Sequence, residues 1–212
     1  MKSTSTLRKL KEFFRKTKEN FQTYIEISGL DKIARRYFVM NAFDGALTML
    51  GVVMGALMAH RVITLDSLKV IIGAGIGGSF AMGVSGFFGA YMTERAERLR
   101  ELKRLEVAML KSLENSIYAK AYRFAIVLAA IIDSLAPMLS AFISLIPLIL
   151  AYIGIIPTTY AAIASIALIF AMLFLLGVFL GKVSKENMIF SGIKMLFAGL
   201  ITAIISLILQ FI

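Results

Sequence analysis

Apolar residues fall along this chain in five long blocks, separated by short polar breaks and flanked by two charged stretches. The blocks cover about residues 39–59, 68–92, 124–152, 159–181 and 188–212. Each reaches the roughly 20 residues that a helix needs to cross a bilayer's hydrocarbon. None alternates with a period of two, so the strands of a transmembrane barrel are absent. Helices are then the way to satisfy every backbone N–H and C=O inside lipid. The expected fold is an all-α integral membrane protein with five transmembrane helices.

Composition agrees with that pattern. Of 212 residues, 59% are hydrophobic and 17% charged, against roughly 45–50% and 25% in a soluble domain. A soluble enzyme is excluded. With no cysteine there is no disulfide framework, thiolate metal site or redox thiol. A single histidine, His60, cannot build a multi-histidine zinc site and is read as interfacial.

The charges divide the chain into four regions. Residues 1–36 hold ten Lys/Arg and four Asp/Glu; residues 93–123 hold eight and five and are read as one charged cytoplasmic helix emerging from the second span. Between and after them lie a first hairpin, 37–92, and the last three spans, 124–212. Counting Lys/Arg by loop puts twenty on one side, with only Arg61 and Lys69 on the other. The positive-inside rule makes the crowded side cytoplasmic, so the N-terminus is expected inside and the C-terminus outside. No cleavable signal pattern is read at the start. The net charge of +10 is therefore assigned to topology and anionic headgroups rather than to nucleic acid. Leu7, Leu10, Phe14, Phe21 and Ile25, spaced helically among Lys and Arg, predict an amphipathic helix on the inner leaflet.

A short internal similarity links the first and third spans. Asp44, Met49 and Leu50 recur as Asp133, Met138 and Leu139 at an offset of 89, and Phe80-Ala81-Met82 recurs as Phe170-Ala171-Met172. This predicts two parallel-related hairpins followed by a fifth helix.

The two aspartates are the candidate chemistry. A carboxylate within the bilayer costs about 2.5–3.5 kcal/mol on insertion scales, so such residues are rare and usually functional. At 100° per residue, Asp44 shares its face with Met40, Asn41, Thr48, Gly51 and Gly55. Asp133 shares its face with Ser140, Ser144, Pro137 and Pro147. Proline removes a backbone donor and frees a carbonyl to serve as a ligand. A carboxyl in this setting can hold a proton or a cation, which makes exchange possible. Asp44 could instead pair with Lys194. Gly75, Gly78, Gly86 and Gly89 line the second span with Met82. The glycines, with Gly51 and Gly55, predict a packing or dimer seam. Met82 is either core or a soft thioether ligand suited to a transition metal. Glu94, Glu97 and Glu101 form a row that could collect divalent cations, or pair with the interleaved arginines.

Asn41-Ala42-Phe43-Asp44-Gly45 with Thr48 and Gly51, preceded by Arg36, resembles the first-span signature of the vacuolar iron transporter family. The glycine-rich second span ending Gly89-Ala90-Tyr91-Met92-Thr93 fits, as do Ile146-Pro147-Leu148 and the opening Ser191-Gly192-Ile193-Lys194-Met195. The likeness covers about residues 35–212. It implies a homodimer with the pathway at its interface and no cofactor. It also implies proton-coupled export of Fe²⁺, and often Mn²⁺, with Asp44 as the first-span metal ligand. Two positions depart from the pattern: Ala90 stands where the family usually has Glu, and Gly86 where Met usually follows the serine. The charged segment is also shorter than the family's Glu-rich domain.

Two other functions compete with a cation transporter. A bilayer aspartyl protease needs two carboxylates sharing a proton, in Tyr-Asp and Gly-x-Gly-Asp contexts. Here the flanks are Phe43-Asp44 and Ile132-Asp133. The other is a scaffold whose buried acids stay protonated.

Overall fold

A computed structural model describes residues 19, 21–59 and 64–209. Leu7, Leu10 and Phe14 of the amphipathic arm, and His60 and Arg61 of the outer loop, lie outside the described residues. The described residues hold five long helices: α1 (Leu30–Ala59), α2 (Leu65–Met109), α3 (Ile117–Tyr152), α4 (Thr158–Ser184) and α5 (Met188–Leu209). All five are long and apolar enough to cross a membrane. Residues 21–28 form a further helical stretch, ended where Gly29 takes a φ of 60°.

The helix ends follow local chemistry. After α3, Gly154 adopts φ 82°, and Ile155 N–H donates to Leu150 O at 2.9 Å, closing a Schellman-type cap. Lys185 plays the same part after α4 with φ 59°, and Glu186 N–H reaches Gly181 O at 3.0 Å. Asn187 Oδ1 then accepts from the N–H groups of Ile189 and Phe190, which caps α5 two residues later.

α2 carries on well past its apolar part. Its 45 residues span roughly 68 Å at 1.5 Å per residue, more than twice the hydrocarbon thickness. The charged segment, expected as one helix over 93–123, is divided. Leu110 turns to φ 50°, and Glu106 Oε1 caps Leu113 N–H at 2.8 Å. The chain reverses there before α3 begins.

The described residues fall into two compact units, one drawn from 1–36 and 87–132, the other from 37–86 and 133–212. In the first, Phe21 meets Phe124 edge-on at 5.3 Å. Arg98 is buried, pairs with Glu94 and Glu101 at 3.5 and 3.1 Å, and lies 5.2 Å over the Tyr122 ring.

In the second unit, α3 is the hub. It meets α1 where Gly45 faces the Pro137 backbone, and α2 where Gly75 faces Leu145 and Gly83 faces Met138. It meets α4 where Ser165 Oγ donates to Ser144 O at 2.6 Å. Met49, Leu50, Val53, Leu68, Leu145, Leu148, Ile169 and Leu173 form the buried apolar cluster between these helices. α5 packs on α4 through Gly177, Gly181 and Gly199. Elsewhere the surface is greasy: Val70, Leu175 and Phe197 are each more than 60% exposed, as expected of side chains that face lipid. The protein is an integral membrane protein.

Candidate cation site

The site lies in the second unit, and α1 supplies its first part. Asn41 and Asp44 stand one turn apart on the same helix, three residues being near one full rotation. Asn41 Nδ2 donates to Tyr37 O at 2.9 Å and also to Asp133 Oδ1 on α3 at 2.5 Å. That bond joins residues 92 positions apart and fixes the Asp133 side chain, which is 7% exposed.

The other face of this carboxylate meets α2. A Cβ added at Gly86 would lie 2.9 Å from Asp133 Oδ2 and 3.1 Å from Asp133 O. The helix can lie against the acid only because position 86 carries no side chain. Oδ2 receives no hydrogen bond from the described residues. The Asp133 carbonyl also lacks its usual i+4 donor, since that residue is Pro137, which has no N–H. A Cβ at Gly45 would meet Pro137 O at 2.5 Å, so glycines on two helices close around this part of α3. Asp133 therefore presents two oxygens without a donor among the described residues toward Gly86, with Asn41 holding the carboxylate's other oxygen.

Asp44 has a different setting. It is exposed, as are Thr48, Gly55 and Met40, with Gly51 half-exposed between them. This is a polar stripe on the outside of the chain at the level of the apolar span. Asp44 has no hydrogen-bond or ion-pair partner among the described residues, and it stands one turn from Asn41, which holds Asp133. The two acids that match in sequence thus differ in burial: one is enclosed by three helices and the other faces outward.

Other expected residues fall elsewhere. Met82 is half-buried and packs against the apolar cluster, so its sulfur is core filling. Gly51, Gly55, Gly78 and Gly89 have open space around them. Gly75 and Gly86 of the expected seam make close approaches within the chain, and Gly45 and Gly83 supply others. Lys194 pairs with Glu186 at 3.7 Å, not with Asp44. Glu94 and Glu101 are engaged with Arg98 and Glu97 is exposed. Among the described residues no three acidic or histidine side chains gather in one place. The Asn41–Asp133 bond was not anticipated: the sequence marks both residues as polar in apolar spans, but nothing in it pairs them.

Two comparisons with known proteins bear on this site. A family model described as the VIT family matches residues 94–210, more than half the chain. An uncharacterised protein of Methanocaldococcus jannaschii is 37% identical over 179 residues, covering 82% of this chain and 87% of that relative. The matched region takes in Asp133 and its prolines, and the first-span motif lies ahead of it. On these grounds the chain belongs to the VIT family, the vacuolar iron transporters that its first span resembles.

Proposed function

We propose that the protein exports a divalent transition-metal cation, Fe²⁺ or Mn²⁺, from the cytosol in exchange for protons, using Asp44 and Asp133 within the membrane. Family membership supports metal-ion transport. The observation that carries the mechanism is the setting of the two acids: both lie inside apolar spans, Asn41 one turn from Asp44 holds Asp133, and neither acid has a neutralising lysine or arginine among the described residues. Two like charges left in oil without a counter-ion favour a positively charged visitor. When no metal is bound, protons neutralise them, which couples the two flows.

Asn41 acts as the holder. By donating to Oδ1 it orients Asp133 and leaves Oδ2 and the backbone carbonyl to the ion. Asp44 and Thr48 add oxygen ligands on the outward stripe, and Met40 lies beside them.

That stripe is also the argument for a homodimer. A carboxylate, a threonine and open glycines are ill-suited to lipid, and a second copy laid on Gly51 and Gly55 would remove them from it. The cation would then enter along the covered stripe. The cytoplasmic orientation of the N-terminus follows from the lysine and arginine count.

The test is uptake of Mn²⁺ and Fe²⁺ by proteoliposomes containing the full chain. Wild-type protein is expected to move the metal, and Asp44→Asn to lose at least tenfold in rate while remaining folded. Equal flux from the two proteins would refute the reading.

A further inference from the structure

Within α3 one buried hydroxyl has no partner among the described residues. Several helical serines and threonines bond back to the carbonyl four residues earlier, as Ser79 to Gly75, Thr93 to Gly89, Ser144 to Ser140 and Ser184 to Leu180, and buried Ser165 bonds across to Ser144 O. The bond back is the ordinary way for a hydroxyl to satisfy itself in a membrane helix. Ser140 does not make it. Its side chain is 5% exposed, and its Oγ is buried with no hydrogen-bond partner among the described residues. An unmade bond to a buried hydroxyl is unfavourable, so a group held in this way needs a reason.

Its position supplies one. Ser140 is seven residues beyond Asp133, two turns on and about 20° from it around the helix. Three other oxygens lack an ordinary donor along the same part of α3. Asp133 Oδ2 is free, the Asp133 carbonyl has lost its donor to Pro137, and the Ile143 carbonyl has lost its donor to Pro147. Both prolines lie inside the helix and both are buried. From Asp133 to Ile143 is ten residues, about 15 Å along the axis, or half the hydrocarbon thickness. Oxygens without partners are thus grouped on the hub helix in one stretch that begins at the buried acid.

We propose that this stretch is a track for the cation and its water, and that Ser140 Oγ is its second station, the ligand met after Asp133. The proposal rests on the transport reading above and extends it along α3. In the present conformation the hydroxyl is sealed, and its missing partner is the water or ion that arrives when the path opens.

The natural absence of cysteine makes the test direct. Ser140→Cys places a lone thiol at the station. Ser79→Cys places one at a site as deeply buried (0% exposed) but already bonded within its helix. Both full-length variants are reconstituted and exposed to a small water-soluble thiol reagent. Ser140→Cys is expected to label at least tenfold faster than Ser79→Cys. Mn²⁺ is expected to slow that labelling severalfold, and the slowing to vanish when Asp133→Asn is added. Equal labelling of the two cysteines, or labelling indifferent to Mn²⁺, overturns the track.

Ser140→Ala gives a second readout should the thiol disturb folding. Removing an unpartnered hydroxyl is expected to raise the melting temperature while lowering Mn²⁺ flux severalfold. A variant with raised stability and unchanged flux overturns the station. Loss of flux in Asp44→Asn together with an inert Ser140→Cys would keep the transport reading and discard only this one.

Discussion

At the scale of single residues, the site depends on one side chain held and one oxygen left over. Asn41 holds Asp133, and removal of a group that orients a metal ligand typically costs 10–100-fold in affinity. Asn41→Ala is therefore expected to weaken Mn²⁺ binding by about that factor, measured by calorimetry on purified protein. An unchanged dissociation constant would mean that the tether does nothing for the ion. Gly86→Ala tests the other face. Its methyl would press on Asp133 Oδ2 at 2.9 Å, so it should impair binding although it removes no polar group. The sequence reveals the two aspartates because a charge in an apolar span stands out on its own. It does not reveal Asn41 as the partner, because that contact spans 92 positions and exists only once α1 and α3 pack. Nor does it show that Gly86 is empty for the sake of a carboxylate on another helix. A glycine in a glycine-rich span reads as a packing residue, and which glycine meets which atom is a tertiary fact.

At the scale of elements, close approach by glycine sets where the helices can lie, and not all glycines matter equally. A Cβ at Gly45 would strike the Pro137 backbone, which cannot yield, whereas at Gly83 the first obstacle is the flexible Met138 side chain. Gly45→Ala is accordingly expected to destabilise by about 1–3 kcal/mol, the usual range for overpacking a tight contact. Gly83→Ala should cost clearly less. Thermal unfolding in detergent checks the order, and equal losses would contradict the contact. The helices themselves were legible from hydropathy, since long apolar blocks have few alternatives in lipid. Their ends were less so. α1 begins at Leu30, nine residues ahead of its apolar block, because lysines and arginines are good helix formers outside the membrane. The reversal at Leu110 gave no warning, since the turn is closed by Lys111 N–H on Glu106 O and a leucine with positive φ lacks the usual glycine signal.

At the scale of the whole molecule, the exposed polar stripe on α1 is the feature that a single chain leaves unresolved. If a second copy covers it, Gly55→Cys in this cysteine-free protein should form a crosslinked dimer under mild oxidation. Leu175→Cys, on a surface that faces lipid, should not. A monomer in both cases would remove the dimer. Labelling from either side of the membrane checks the orientation: a cysteine after the last span should react from outside and one near the N-terminus from inside. The central claim is that the intramembrane acids exchange protons for metal. Its most direct measurement follows metal and proton together in the same proteoliposomes, with a pH-sensitive dye opposite a Mn²⁺ gradient. The account predicts that Mn²⁺ entry drives proton exit, and that both signals fall together in Asp44→Asn. Mn²⁺ flux with no proton movement, or a proton signal that survives in Asp44→Asn, would contradict it.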